Sequence, residues 1–156
     1  MKRCFLIGHR DAPFEIEEKL KLAVERHICE HGIREFMVGG YGRFDGIAAT
    51  VLARVKKEFP HITLTLLCPY HPGERQMELP KGFTDSVYPF GEEKIPRRFA
   101  ILRANRWAVE HATHLIAYIA HPASSAREIV AYAMRRQEKG LICVENIGTL
   151  PVSGKM

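Results

Sequence analysis

Apolar positions along the chain fall into two alternating rhythms. Short apolar runs at residues 4–7, 35–38, 62–68, 113–120 and 141–144 have the length and the β-branched or aromatic content of strands. Between most of them lie stretches with an apolar residue every three or four positions, the spacing of a helix with one buried face. In the first such stretch Pro13 stands at the opening turn, with Asp11 or Ala12 near the cap. Ile16, Leu20, Val24 and Ile28 form its stripe and Gly32 ends it. The second, over 47–59, turns Ala48, Val51, Leu52, Val55 and Phe59 inward and stops at Pro60. The third begins at Pro96 and runs from 97 to about 112. The fourth covers 126–139 with Ile129, Val130, Ala133 and Met134 inward, and ends at Gly140. Strand and helix alternate five times, which predicts an α/β sandwich with a mostly parallel five-stranded sheet and helices on both faces. One domain over residues 1–145 accounts for the pattern, and the polar tail 146–156 is expected to be loosely held.

One segment breaks the rhythm. Residues 69–94 hold four prolines and three glycines with no clear period, and Ser86-Val87-Tyr88 is at most a short strand within them. The insertion 69–96 reads either as a lid or binding loop or as a surface excursion.

In a parallel sheet of this kind the ligand lies beyond the carboxyl ends of the strands, at the point where strand order reverses. The expected ends are Gly8-His9-Arg10, residues 39–45, Pro69-Tyr70-His71 and residues 121–125, where glycine and polar residues gather. The second of these is the richest: Gly39, Gly40, Gly42 and Gly46 fall within eight residues, between a strand and a helix. Glycine permits positive φ and close backbone approach, and a helix starting there presents free N–H groups to an anion such as phosphate. A tight structural turn uses the same residues.

Individual side chains sharpen this. Arg10 can fork onto a phosphate or pair with Asp11 or Asp45. Asp45 caps its helix or holds a ribose hydroxyl. Arg97, Arg98, Arg103 and Arg106 make the third helix basic. Arg97 and Arg98 fall in its first turn, where the helix dipole disfavours cations unless an anion compensates. Asn105 can donate to a base or a phosphate, and Trp107 reads as core. His9, His71 and His121 fall at strand ends, where a neutral imidazole serves as donor, base or loop polar group. His27 and His31 stand one helical turn apart without a carboxylate ligand pattern, so no metal site is expected.

Composition adds limits. The 156 residues are 46% hydrophobic and 26% charged, ordinary globular material, and no run of about twenty apolar residues suggests a membrane span. Cys4, Cys29, Cys68 and Cys143 are widely spaced. They read as reduced and mostly buried, which suggests a cytoplasmic protein without zinc. A net charge of +5 suits anionic partners, from a nucleotide to DNA.

The motifs at the strand ends resemble those of a known superfamily. Gly8-His9-Arg10 is similar to the G-x-R of the SLOG superfamily. Gly39-Gly40-Tyr41-Gly42-Arg43-Phe44-Asp45 with Ala48-Ala49 is similar to its G-G-A-x-G-x-D-x-x-A. Asn105-Arg106-Trp107-Ala108-Val109 before Ala112-Thr113-His114-Leu115-Ile116-Ala117 resembles the N-x-x-M-V-x-x-S-D-x-L-I-A block of the YpsA-like branch, and Pro60-His61-Ile62-Thr63-Leu64 fits it too. The likeness spans residues 3–145. It implies a Rossmann-like fold, a nucleotide-type ligand and pairing into a homodimer; the superfamily includes a DNA-processing protein, phosphoribohydrolases and nucleotide sensors. Tyr41 replaces a small residue, narrowing the loop or offering a ring for a base to stack on. Pro122-Ala123-Ser124-Ser125-Ala126 replaces a glycine-rich turn, so Ser124 and Ser125 hydroxyls stand where backbone would meet phosphate. Glu128 lies close to the glutamate that assists N-glycosidic cleavage in the phosphoribohydrolases, and it also fits a capping box opened by Ser125.

These readings converge on a protein that binds a nucleotide or nucleotide-derived ligand, of nucleoside phosphate, NAD or ADP-ribose type. The expected contacts are Gly8, His9, Arg10, Gly39, Gly40, Tyr41, Gly42, Asp45, Arg98, Asn105, Ser124 and Ser125. No obligatory cofactor is expected beyond a possible bound nucleotide. Two alternatives stay open. One is hydrolysis of a nucleoside 5′-monophosphate with Glu128 catalytic. The other is binding of single-stranded nucleic acid, which the scarcity of interleaved aromatics and lysines ranks last.

Overall fold

The structure is a computed structural model that describes residues 2–150. Its core is a six-stranded, all-parallel sheet in the order β4-β3-β2-β1-β5-β6. The strands are β1 (Arg3–Gly8), β2 (Glu35–Val38), β3 (Thr63–Leu67), β4 (Asp85–Val87), β5 (His114–Tyr118) and β6 (Cys143–Asn146). The helices are α1 (Glu17–His31), entered through a 3-10 turn at Phe14–Ile16, α2 (Arg43–Glu58), α3 (Arg97–Glu110) and α4 (Ser125–Glu138). This is a Rossmann-like three-layer sandwich.

Strand residues alternate between the two faces and are apolar on both, as a buried parallel sheet requires. Cys4, Leu6, Phe36, Val38, Leu64 and Leu66 pack under α1 and α2 with Leu20, Val24, Val51 and Leu52. Phe5, Ile7, Met37, Leu115 and Ala117 pack under α3 and α4 with Ala104, Ala108, Ile129 and Val130. From β1 the chain builds outward through α1 and α2, then returns through α3 to β5 on the other side of β1. Right-handed crossovers put helices on opposite faces when the direction of building reverses. The reversal lies between β1 and β5. The predicted stripe Ile16, Leu20, Val24 and Ile28 is buried throughout, and Gly32 ends α1 with φ +67°.

Several expectations need correction. The strands number six, not five. The short strand considered at Ser86-Val87-Tyr88 is present one residue earlier: Asp85–Val87 pairs with β3 as an edge strand whose first two residues are exposed. No helix joins β3 to β4 among the described residues. α2 begins at Arg43, four residues before the expected start at residue 47, because Gly42 turns the chain straight into the first turn, where Phe44 is already buried. The cysteines are free, but only Cys4 is fully buried: Cys29 and Cys143 are exposed and Cys68 is half-buried. The first residues of the expected tail are bonded to the loop after β5. The Asn146 side chain accepts from the Ile119 and Gly148 N–H groups and donates to the Ile119 and Leu150 carbonyls, and Ile147 is buried. Residues 151–156 of that tail lie outside the described residues. No helix among the described residues is long and apolar enough to cross a membrane.

Candidate functional site

Two loops at the carboxyl edge are built as one unit. The Arg43 N–H donates to the Arg10 carbonyl at 2.8 Å, which ties the start of α2 to the loop after β1. Gly42 has φ +103°, and a Cβ there would stand 2.9 Å from the Arg10 Cα, so only glycine fits. Gly8 is required for a different reason: a Cβ would meet the Phe44 ring at 2.4 Å, and that ring is buried on the bare strand end. Gly40 leaves room for the Met77 methyl, 2.3 Å from where its Cβ would be. The glycine spacing is thus set by Phe44, Met77 and Arg10 packing on the main chain, and it shapes what lies above.

Two cavities open there. The smaller, about 50 Å³, is lined by Gly8 and Arg10 after β1, Gly39, Tyr41 and Asp45 around the start of α2, Asn105 of α3 and Ser125 of α4. The larger, about 990 Å³, runs from Gly39, Gly40, Tyr41, Gly42 and Asp45 along α2 and under residues 75–82. They share Gly39, Tyr41 and Asp45. Asp45 accepts from the Tyr41 N–H at 2.9 Å, reaching back over the loop rather than capping the helix from in front. Burial pushes its carboxyl up to about 7, against the Tyr41 N–H and the Arg10 charge, which favour the ionised form.

Besides Tyr41 and Asp45, which bond to one another, three polar side chains line the small cavity. The side chains of Arg10, Asn105 and Ser125 form no hydrogen bond or ion pair with any described residue. The neighbouring residues are spent on structure. Ser124 is the N-cap of α4, its Oγ accepting from the Arg127 N–H at 3.1 Å. This moves the expected cap from Ser125 to Ser124 and puts Glu128 one position beyond the capping-box place. Glu128 is exposed and lines neither cavity. Arg98 is exposed over the Phe99 ring at 4.7 Å and also lines neither.

His9 lies behind the site as a buried brace. Its Nε2 accepts from the Ala120 and His121 N–H groups at 2.9 and 3.3 Å, joining the ends of β1 and β5, and its ring stacks on His121 at 3.8 Å. Burial and the neighbouring His121 lower its pKa, partly offset by Asp11. His9, Asp11 and His121 each bring a ligand-type atom within 4.8 Å of the others. With Nε2 accepting two N–H groups, however, the neutral His9 ring carries its proton on Nδ1 and has no lone pair left for a cation. His71 does not join them; it faces Glu92 and Tyr88.

Arg75, Met77, Lys81, Thr50 and Ala53, which the sequence did not single out, line the larger cavity together with Gly46 and Ala49. The helical face was readable: the spacing i, i+3, i+4, i+7 puts four small residues on one side of α2. Residues 75–82 have no period from which their position can be read. No protein-family model and no curated protein matches the chain.

Proposed function

We propose that the protein binds a nucleotide or nucleotide-derived ligand, of nucleoside phosphate, NAD or ADP-ribose type, at the carboxyl edge of the sheet. The phosphate sits in the small cavity and the base lies toward Tyr41. One observation carries this reading. Arg10, Asn105 and Ser125 arrive from three separate elements, line one cavity, and form no side-chain hydrogen bond or ion pair among the described residues, although the Arg10 charge is felt by Asp45. A guanidinium, an amide and a hydroxyl around a compact space suit a phosphate. The likeness of the Gly8–Arg10 and Gly39–Asp45 motifs to the SLOG superfamily supports the same class of ligand, and with it a sensing role and a homodimer. Four free cysteines support a cytoplasmic setting. N-glycosidic hydrolysis has no such support, because Glu128 is exposed and lines neither cavity.

Native mass spectrometry followed by a thermal-shift panel tests the reading and reports the oligomer. Nucleoside mono- and diphosphates, NAD and ADP-ribose are the probes. A ligand at a hundred times its Kd stabilises by about 2.7 kcal/mol, a shift of several degrees. A protein that carries no nucleotide and gains no stability from any probe does not have this function.

A further inference from the structure

The larger cavity has a shape and a charge distribution that a mononucleotide does not use. It is a trench along α2. One wall is the small-residue face Gly46, Ala49, Thr50 and Ala53; the other is formed by Arg75, Met77 and Lys81. Leu66 and Met77 supply apolar surface, and Tyr41 stands at the end shared with the small cavity. From Gly46 to Lys57 the helix rises about 16 Å. At about 990 Å³ the space is at the top of the range for small-molecule sites, roughly 300–1,000 Å³.

Cations outnumber carboxylates around it, and they differ in what they are free to do. Arg54, Lys56, Lys57, Arg75 and Lys81 line the trench against Asp45 and Glu78. Arg54 is held by Glu17 and Glu18. Lys56 donates to the Ile62 and Pro60 carbonyls, and Arg75 donates to the Tyr41 hydroxyl. Lys57 and Lys81 are exposed and have no hydrogen bond or ion pair among the described residues. The free cations therefore stand away from the shared end, and their flexible stems can reach back along the trench.

We infer that the ligand is a nucleotide with two separated phosphate groups: one in the Arg10–Asn105–Ser125 cavity, and a second beyond its nucleoside, held by Lys57 and Lys81. This rests on the nucleotide reading above and adds the class of nucleotide. The nucleoside lies between, against Tyr41, Leu66 and the small-residue face of α2.

The test uses two pairs of probes that differ by one phosphate: NAD against NADP, and AMP against adenosine 3′,5′-bisphosphate. Each is titrated calorimetrically into the full chain. In at least one pair the member with the extra phosphate is expected to bind about tenfold tighter, the worth of one charge-assisted contact. The advantage should shrink as salt is raised. The double variant Lys57→Glu, Lys81→Glu changes two exposed side chains and should remove the advantage. Equal binding within both pairs, or an advantage that survives the double variant, overturns this inference and leaves the nucleotide reading standing. Absence of binding by all four probes overturns this inference, and overturns the nucleotide reading as well when no probe of the thermal-shift panel stabilises the protein.

Discussion

Two helices begin at the same edge of the sheet and begin differently. α4 starts behind Ser124, whose hydroxyl accepts from the Arg127 N–H, and the loop before it is pinned to β1 by His9. α2 starts behind Gly42, which has no side chain to cap with, and Asp45 reaches back to Tyr41 instead. The first start is satisfied by its own residues. The second lies beside both cavities and relies on glycine geometry and a carboxyl held near neutrality. The capped start of α4 leaves the Ser125 hydroxyl, just past its cap, to face the small cavity; the start of α2, shaped by glycine, leaves space open along both cavities.

The contrast can be broken at either helix. Gly42→Ala forces a side chain onto a positive φ and against the Arg10 backbone. A loss of roughly 3 kcal/mol in urea unfolding is expected, and a near-neutral result would mean α2 does not depend on that turn. Asp45→Asn acts in the opposite direction. The folded-state pKa is about 7 against a usual value near 3.8, so the stability it contributes is complete below pH 4 and lost as pH rises through 7. The amide should therefore raise stability by roughly 2 kcal/mol at pH 8, with little gain at pH 4. Ser124→Ala should cost about 1 kcal/mol through the lost cap and leave nucleotide affinity unchanged. A fall in affinity would return Ser124 to the site. The smallest effect concerns His9. Its pKa is lowered, so its contribution is present above about pH 6.5 and lost as pH falls through the folded value. Amide exchange at Ala120 and His121, corrected for intrinsic rate, should rise on acidification to pH 5, while a flat profile would remove His9 as the brace.

The chain announced its regular parts well. The stripe from Ile16 to Ile28 is buried throughout, and both sheet faces are apolar, because burial imposes a period on sequence. What escaped had no period to show. β4 lies at an exposed edge, and residues 75–82 cross the trench as irregular backbone. Within the site, Arg10, Asp45 and the glycines could be placed from strand ends alone, since the topology of a parallel sheet fixes where those ends meet. Asn105 belongs to a helix that returns from the far edge of the sheet, and only the fold brings it opposite Gly39. Ser124 and Ser125 look alike in sequence. One residue of register decides which caps and which faces the cavity. Glu128 shows the same sensitivity, since neither cavity includes it.

The uncommitted trio at the small cavity is tested most directly by isothermal titration of the nucleotide that gives the largest thermal shift, into the native chain and into Arg10→Ala. Arg10 is exposed and its side chain makes no hydrogen bond or ion pair among the described residues, so its loss should leave the fold intact. The expected result is saturable binding to the native chain that weakens at least about tenfold in the variant, the worth of a charge-assisted phosphate contact. Equal affinity in the two proteins would contradict a phosphate seated at Arg10.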